Sequence, residues 1–223
     1  MDFQILEVKE QLLADNDATA ERTRRNLSGT NTLLVNLMGS PGAGKTTTLL
    51  RIISLLTPKY RVGVMEADVD SDVDAKAVAS AGAKVIQLHT GGLCHMDADM
   101  TARGLEALGT GDLDIVFLEN VGNLVCPAEF DVGADLRIML LSVPEGDDKP
   151  LKYPLMFTVS DVMLVNKIDT APIFDFDLTA ASERARALNP GIVILPVSAK
   201  TGEGFDRVEQ YLLCKLEERR REG

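Results

Sequence analysis

The eight residues Gly39-Ser40-Pro41-Gly42-Ala43-Gly44-Lys45-Thr46 satisfy the pattern G-x-x-x-x-G-K-S/T. They stand between a short apolar run, Leu33 to Met38, and a helix-length stretch, Thr46 to Leu56. Such a loop works only where a buried strand delivers the chain and a helix N-terminus follows, because backbone N–H groups and the helix dipole must converge on one phosphate. At average composition its four fixed positions coincide by chance in a chain of 223 residues about 1% of the time or less. The motif therefore fixes a strand, a loop and a helix in succession. Further apolar runs follow at Arg61 to Met65, Lys84 to Leu88, Asp114 to Leu118, Leu136 to Val143, Asp161 to Val165 and Ile192 to Val197. Most are separated by helix-length stretches, at Asp74 to Ala81, Ala98 to Leu108, Leu178 to Leu188 and Phe205 to Glu218. Strands apolar on both faces, alternating with helices, predict an α/β fold with a doubly wound, mostly parallel sheet of about seven strands.

In this setting the glycines let backbone N–H groups turn inward, and Gly39, Gly42, Ala43 and Gly44 form the cradle. Lys45 reaches the β- and γ-oxygens of a nucleotide, Thr46 ligates Mg²⁺, and Thr47 completes the helix start. A second element, Asn166-Lys167-Ile168-Asp169, ends another strand and belongs on the same rim. The Asp169 carboxylate can accept both guanine N1–H and the exocyclic amine, whereas adenine would face it with a lone pair. Ser198-Ala199-Lys200, after the last strand, resembles the GTPase segment whose backbone N–H meets guanine O6. Asn-Lys-x-Asp alone is a weak signal; between a P-loop and Ser-Ala-Lys it points to GTP. Residues 31–223 then read as one P-loop GTPase domain of the P-loop NTPase fold, and residues 1–30 as an N-terminal helical extension. That extension carries apolar Ile5, Leu6, Leu12 and Leu13 and a fresh helix start at Asp15-Asn16-Asp17.

Two segments suit the γ-phosphate and its metal. Glu66 to Asp74 places Asp68, Asp70, Asp72 and Asp74 on alternate positions after the second strand. Asp68, at the strand's end, is the expected Mg²⁺ neighbour or the group that orients the attacking water. The other three serve equally well as solvated helix caps. Glu119-Asn120-Val121-Gly122 looks like the Asp-x-x-Gly of GTPases with Glu in place of Asp, so Gly122 N–H would meet the γ-phosphate. Asn123 stands where a water-orienting glutamine would follow, which predicts slow hydrolysis.

Cys94 and His95, after the third strand, and Cys126, just beyond Gly122, also belong near this rim. Thiolates and imidazole suit nickel, zinc or copper, but three ligands leave a fourth to water or to a second subunit. The spacing leaves open the alternative of a small buried cysteine pair beside a polar loop histidine. Cys214 reads as helix core and His89 as a strand-end residue. A formal net charge of −11 opposes binding to nucleic acid or anionic membranes. Three unevenly spaced cysteines fit a reducing compartment. With no apolar run near the ~18 residues of a membrane span and no signal segment at Met1-Asp2-Phe3-Gln4, the expectation is a cytoplasmic protein.

Taken together, these segments closely resemble one family, HypB, the GTPase that assists nickel insertion into nickel-iron hydrogenase. The resemblance rests on the P-loop, Gly92-Leu93-Cys94-His95-Met96-Asp97-Ala98, Glu119 to Pro127, Glu145-Gly146-Asp147-Asp148-Lys149-Pro150-Leu151-Lys152-Tyr153-Pro154, and Asn166-Lys167-Ile168-Asp169. It implies a Cys94, His95 and Cys126 metal site and a homodimer favoured by GTP. It also implies partnership with a HypA-like nickel chaperone and the hydrogenase large subunit. No Cys precedes Cys94 and no His precedes His89, so the nickel-storing N-terminal motifs of some members are missing here. Urease-type nickel GTPases place Pro between the Cys and His that are adjacent in this chain. A P-loop ATPase or kinase with structural cysteines is opposed by Asp169.

Overall fold

The protein is described here from a computed structural model covering residues 8–68 and 78–222. Seven strands form one sheet in the order β3-β2-β4-β1-β5-β6-β7. They are β1 (Leu33–Gly39), β2 (Val62–Asp68), β3 (Lys84–His89), β4 (Ile115–Glu119), β5 (Leu136–Ser142), β6 (Val162–Asn166) and β7 (Val193–Pro196). Every pairing is parallel, for example Val35 opposite Phe117 on one side and Leu136 on the other. All C-terminal strand ends therefore lie along one edge. β1 sits centrally between β4 and β5, where the chain's winding reverses, the position at which open α/β sheets bind ligands.

Alternation along the strands explains why these runs are apolar throughout. Val35, Leu37, Val64, Phe117, Ile138 and Leu164 point to one face. There they pack under α2 (Lys45–Leu56) and α8 (Phe205–Glu222). Their neighbours Leu34, Met65, Val116 and Leu118 point to the other face, against α3 (Ala98–Leu108) and Leu27 of α1 (Val8–Ser28). Further along that face, Met139, Leu141, Met163 and Val165 meet α6 (Pro154–Val159) and α7 (Leu178–Leu188). Two short helices, α4 (Cys126–Glu129) and α5 (Lys149–Lys152), lie in the connecting loops. Asp97 caps α3 by accepting from Met100 N–H at 2.8 Å, and Asp177 caps α7 by accepting from Ala180 N–H at 2.9 Å.

Two expectations need correction. The N-terminal helix does not restart at Asp15-Asn16-Asp17 but runs through it. Asn16 is spent on tertiary bonds instead of a cap: Nδ2 donates to the Asp131 carbonyl at 2.8 Å, and Oδ1 accepts from Ala98 N–H at 2.9 Å. Cys214 is exposed, not core. It lies about 200° around α8 from Leu212 and again from Leu216, which carry the buried stripe. Its thiol faces Glu218 instead, 3.5 Å away. Asp70, Asp72, Asp74 and the first half of the helix expected at Asp74 to Ala81 lie outside the described residues, as do Ile5 and Leu6.

α1 is fastened by more than Asn16. Arg24 donates to the Asp131 carboxylate at 2.6 Å, and Arg137 reaches the same group at 3.0 Å. No helix among the described residues is long and apolar enough to cross a membrane.

Candidate functional site

The phosphate loop leaves β1 at Gly39 and enters α2 at Lys45. Gly44, the residue before the helix, has φ +95°, a left-handed conformation that suits glycine. A Cβ there would lie 2.6 Å from Asn166 Nδ2, so the loop and the Asn-Lys-x-Asp segment touch at this point. Lys45 is buried, and its ammonium donates to the carbonyls of Gly39 at 3.4 Å and Ser40 at 3.2 Å. Thr46 Oγ1 donates to Glu119 Oε1 at 2.8 Å. Gly122 also faces the loop, where a Cβ would come 2.9 Å from Pro41 N. The first loop glycine is joined to the same segment by an antiparallel bridge, with Asn123 N–H donating to the Gly39 carbonyl at 3.1 Å.

Asn166 organises the second part. Its Nδ2 donates to the Ala43 carbonyl at 2.9 Å, and its Oδ1 accepts from Ala199 N–H at 3.1 Å. One buried carboxamide thus ties phosphate loop, β6 and the Ser198-Ala199-Lys200 turn together. Lys167 has φ +63° and extends its ammonium to the Gly42 carbonyl at 2.6 Å. Asp169 Oδ1 accepts from Ser198 Oγ at 2.7 Å. A cavity of about 210 Å³ opens between these groups, lined by Gly44, Thr47, Asn166, Lys167, Asp169, Thr170, Ala199 and Lys200. Phosphate-loop and Asn-Lys-x-Asp residues therefore line one cavity, with a carboxylate on its wall.

The sulfur residues gather beyond Gly122. Ligand atoms of Cys94, His95 and Cys126 all lie within 4.8 Å of one another. The two Sγ atoms stand 2.9 Å apart as free thiols, and Cys94 Sγ is 3.8 Å from His95 Nδ1. Two thiolates on one tetrahedral zinc stand roughly 3.8 Å apart, so the pair must open by somewhat under 1 Å to share an ion. The His95 ring stacks on Phe130 at 3.9 Å between centroids. Burial lowers its pKa, against the pull of Asp97 and Glu129. The hydrogen bond with Cys94, then burial, raises that of the Cys126 thiol. A neutral imidazole beside two thiols is a donor set for a borderline or soft cation. At the phosphate loop, the Thr46 hydroxyl beside the Glu119 carboxylate is a hard oxygen set that suits Mg²⁺.

His89 ends β3, exposed, and is not part of the sulfur cluster. Asp68 ends β2, opposite His89. Three residues of the site are given no role of their own by the sequence. Glu119 holds Thr46, a role foreshadowed only by its place in the altered Asp-x-x-Gly. Asn120 accepts from Met96 N–H at 3.2 Å and donates to Asn36 Oδ1 at 3.2 Å, anchoring the Cys94 loop to β1. Arg51, on α2, donates to the carbonyls of Ala199 and Lys200, both at 3.2 Å. No sequence signal marks Arg51, because its partners come from the far end of the chain.

Comparison with known proteins agrees with this geometry. The family model "CobW/HypB/UreG, nucleotide-binding domain" matches residues 33–196. The hydrogenase maturation factor HypB of Azotobacter chroococcum is 43% identical over 90% of this chain, which spans 66% of that relative's length. The probable hydrogenase maturation factor HypB of Methanocaldococcus jannaschii is 36% identical, with 96% of this chain and 97% of that protein aligned. Among solved structures, HypB from Helicobacter pylori in complex with nickel superposes with a TM-score of 0.86 at 34% identity, covering 92% of this chain and 96% of that one. A P-loop sheet of this order, carrying the sulfur cluster beside its phosphate loop, accords with that kinship: the chain belongs to the HypB family.

Proposed function

We propose that this protein binds and hydrolyses GTP and uses the nucleotide cycle to assist nickel insertion into a nickel-iron hydrogenase. The observation that carries the reading is the common rim. A cavity shared by the phosphate loop and Asp169 lies on the same sheet edge as three sulfur and nitrogen donors within 4.8 Å of one another.

Asp169 recognises the guanine edge. Its bond from Ser198 Oγ holds the carboxylate toward the cavity, and Asn166 keeps the base-binding turn against the phosphate loop. Gly39, Gly42, Ala43 and Gly44 present the phosphate cradle. Lys45 exchanges its loop carbonyls for phosphate oxygens. Gly122, packed on Pro41, stands ready to offer its N–H to the γ-phosphate. Thr46, with Glu119 behind it and Asp68 at the neighbouring strand end, would hold Mg²⁺. The ion supplies neutralisation of the charge that spreads over the phosphoryl oxygens. What remains for the chain is positioning, which is most of what phosphoryl transfer requires.

Nickel is the cargo, held by Cys94, His95 and Cys126, with zinc an equally acceptable guest for the same donors. A GTP-favoured homodimer would bring two such sites together and complete their coordination. A HypA-like chaperone is the expected source of nickel and the hydrogenase large subunit its destination, in the cytoplasm. The relatives named hydrogenase maturation factors, and the Helicobacter pylori HypB solved in complex with nickel, support this reading.

The test is nickel titration of the wild type and of a Cys94→Ala, Cys126→Ala double variant, alongside GTP turnover of the wild type and Lys45→Ala. Loss of nickel binding in the first variant and of turnover in the second is expected. If ATP displaced GTP at comparable concentration, or nickel bound the double variant unchanged, the reading would fail.

A further inference from the structure

One residue touches both halves of the rim. Asn123 uses its backbone N–H on the Gly39 carbonyl at 3.1 Å, and the same carbonyl accepts from Lys45 Nζ at 3.4 Å. Its side chain faces the other way. Nδ2 donates to the Cys94 carbonyl at 3.3 Å, and Oδ1 accepts from Val125 N–H at 2.9 Å. The second bond is a local turn that sets the start of α4, whose first residue is Cys126. Both cysteine segments, 32 residues apart in sequence, are thus held by one amide group.

We propose that Asn123 is a positioning residue that sets the distance between Cys94 and Cys126 and relays the nucleotide state to them through the Gly39 carbonyl. The inference rests on the metallochaperone reading above and adds the element that links its two halves. Lys45 lies on one side of the relay. When its ammonium turns to a triphosphate it leaves a carbonyl to which Asn123 is also bonded, so the Asn123 backbone feels the change at first hand. On the other side, a carboxamide offers a donor and an acceptor at once. An aspartate in its place would keep the acceptor for Val125 and lose the donor to Cys94. Alanine would lose both. Groups that orient metal ligands in this way typically change affinity 10–100-fold when removed.

The experiment is nickel titration at saturating GDP and at a saturating non-hydrolysable GTP analogue. It compares the wild type with Asn123→Ala, Asn123→Asp and the Cys94→Ala, Cys126→Ala double variant. Affinity and the sulfur-to-nickel charge-transfer absorption are both read, with circular dichroism confirming the fold. The wild type should show a different affinity and band position in the two nucleotide states. Asn123→Ala should weaken nickel binding about 10–100-fold and bring the two states to within about twofold of each other. Asn123→Asp, with its turn acceptor intact, should also lose the nucleotide-linked band shift. A folded Asn123→Asp protein with wild-type affinity and a wild-type shift overturns the proposal. Nickel binding that survives in the double cysteine variant overturns the metallochaperone reading together with it. Binding that is lost in the double variant but is nucleotide-independent in the wild type leaves the metal site standing and overturns the Asn123 relay alone.

Discussion

Replacing Gly44 with alanine tests whether the phosphate loop and the Asn-Lys-x-Asp segment are one mechanical unit. Two costs arise from separate features. Gly44 has φ +95°, where an L-residue is disfavoured by about 1–2 kcal/mol. The added Cβ would also lie 2.6 Å from Asn166 Nδ2, a buried amide that cannot swing away without loosening its bonds to Ala43 and Ala199. Loosening buried hydrogen bonds of this kind costs about 1–3 kcal/mol, so Gly44→Ala should destabilise the fold by about 2–5 kcal/mol. At about 2–4 °C per kcal/mol for a chain of this size, the melting temperature falls by about 4–20 °C. Gly42 supplies the control. It has φ +74°, but nothing lies within 4 Å of its added Cβ, so Gly42→Ala should show only the backbone term, about 1–2 kcal/mol. Thermal unfolding of the nucleotide-free proteins measures both. An Asn166→Ala background should remove the clash and make Gly44→Ala cheaper by about 1–3 kcal/mol. If Gly44→Ala melts with Gly42→Ala, and its effect adds to Asn166→Ala within about 0.5 kcal/mol, the two motifs are not coupled and the reasoning is wrong.

Other outcomes follow from the same structure. Unstimulated GTP turnover should be slow, about 10⁻³ s⁻¹, because Asn123 stands where a water-orienting glutamine would be; a single-turnover rate near 10 s⁻¹ would contradict it. Nickel affinity should rise with pH through the neutral and mildly alkaline range, because the Cys126 thiol, raised by its bond with Cys94 and by burial, must release its proton. His95, lowered by burial, is already neutral there and imposes no second step, which calorimetry in buffers of different ionisation enthalpy would detect. Asp131→Asn should cost about 1 kcal/mol at neutral pH, discounted for partial exposure. Burial raises the Asp131 pKa, but bonds from Arg24 and Gly133 and the charge of Arg137 outweigh it, so the net shift is downward. The folded protein therefore takes up this proton less readily than the unfolded chain. The stabilisation is full above the ordinary carboxylate range and disappears as the pH falls below it, so wild-type and variant melting curves should converge in acid.

Much of the architecture was legible because the same physics writes it into short windows. β1, β4 and β6 are apolar on every residue or nearly so, the mark of strands covered on both faces, and the P-loop fixes where the first of them ends. Cys94, His95 and Cys126 could be grouped because each follows a parallel strand whose C-terminal end must reach one edge. Long-range pairings were not readable. Asp15-Asn16-Asp17 has the composition of a cap, yet Asn16 bonds to residues 82 and 115 positions away, and those contacts let the helix continue through it. Cys214 was misread because its place depends on which stripe of α8 turns inward, and Val208, Leu212 and Leu216 decide that. Arg51 acts through carbonyls 148 and 149 residues distant, where no local pattern announces it, and the altered Asp-x-x-Gly marks Glu119 without naming Thr46, 73 residues away, as its partner.

The contact between Gly122 and Pro41 carries a consequence for how such chains diversify. With a Cβ at 122 only 2.9 Å from the Pro41 nitrogen and 3.0 Å from its Cα, backbone atoms that every residue at 41 keeps, position 122 cannot grow without pushing the two loops apart. A smaller side chain at 41 would not make room, so relatives that keep this loop contact should hold glycine at 122 whatever stands at 41. Library selections that randomise both together should return glycine at 122 beside several different residues at 41.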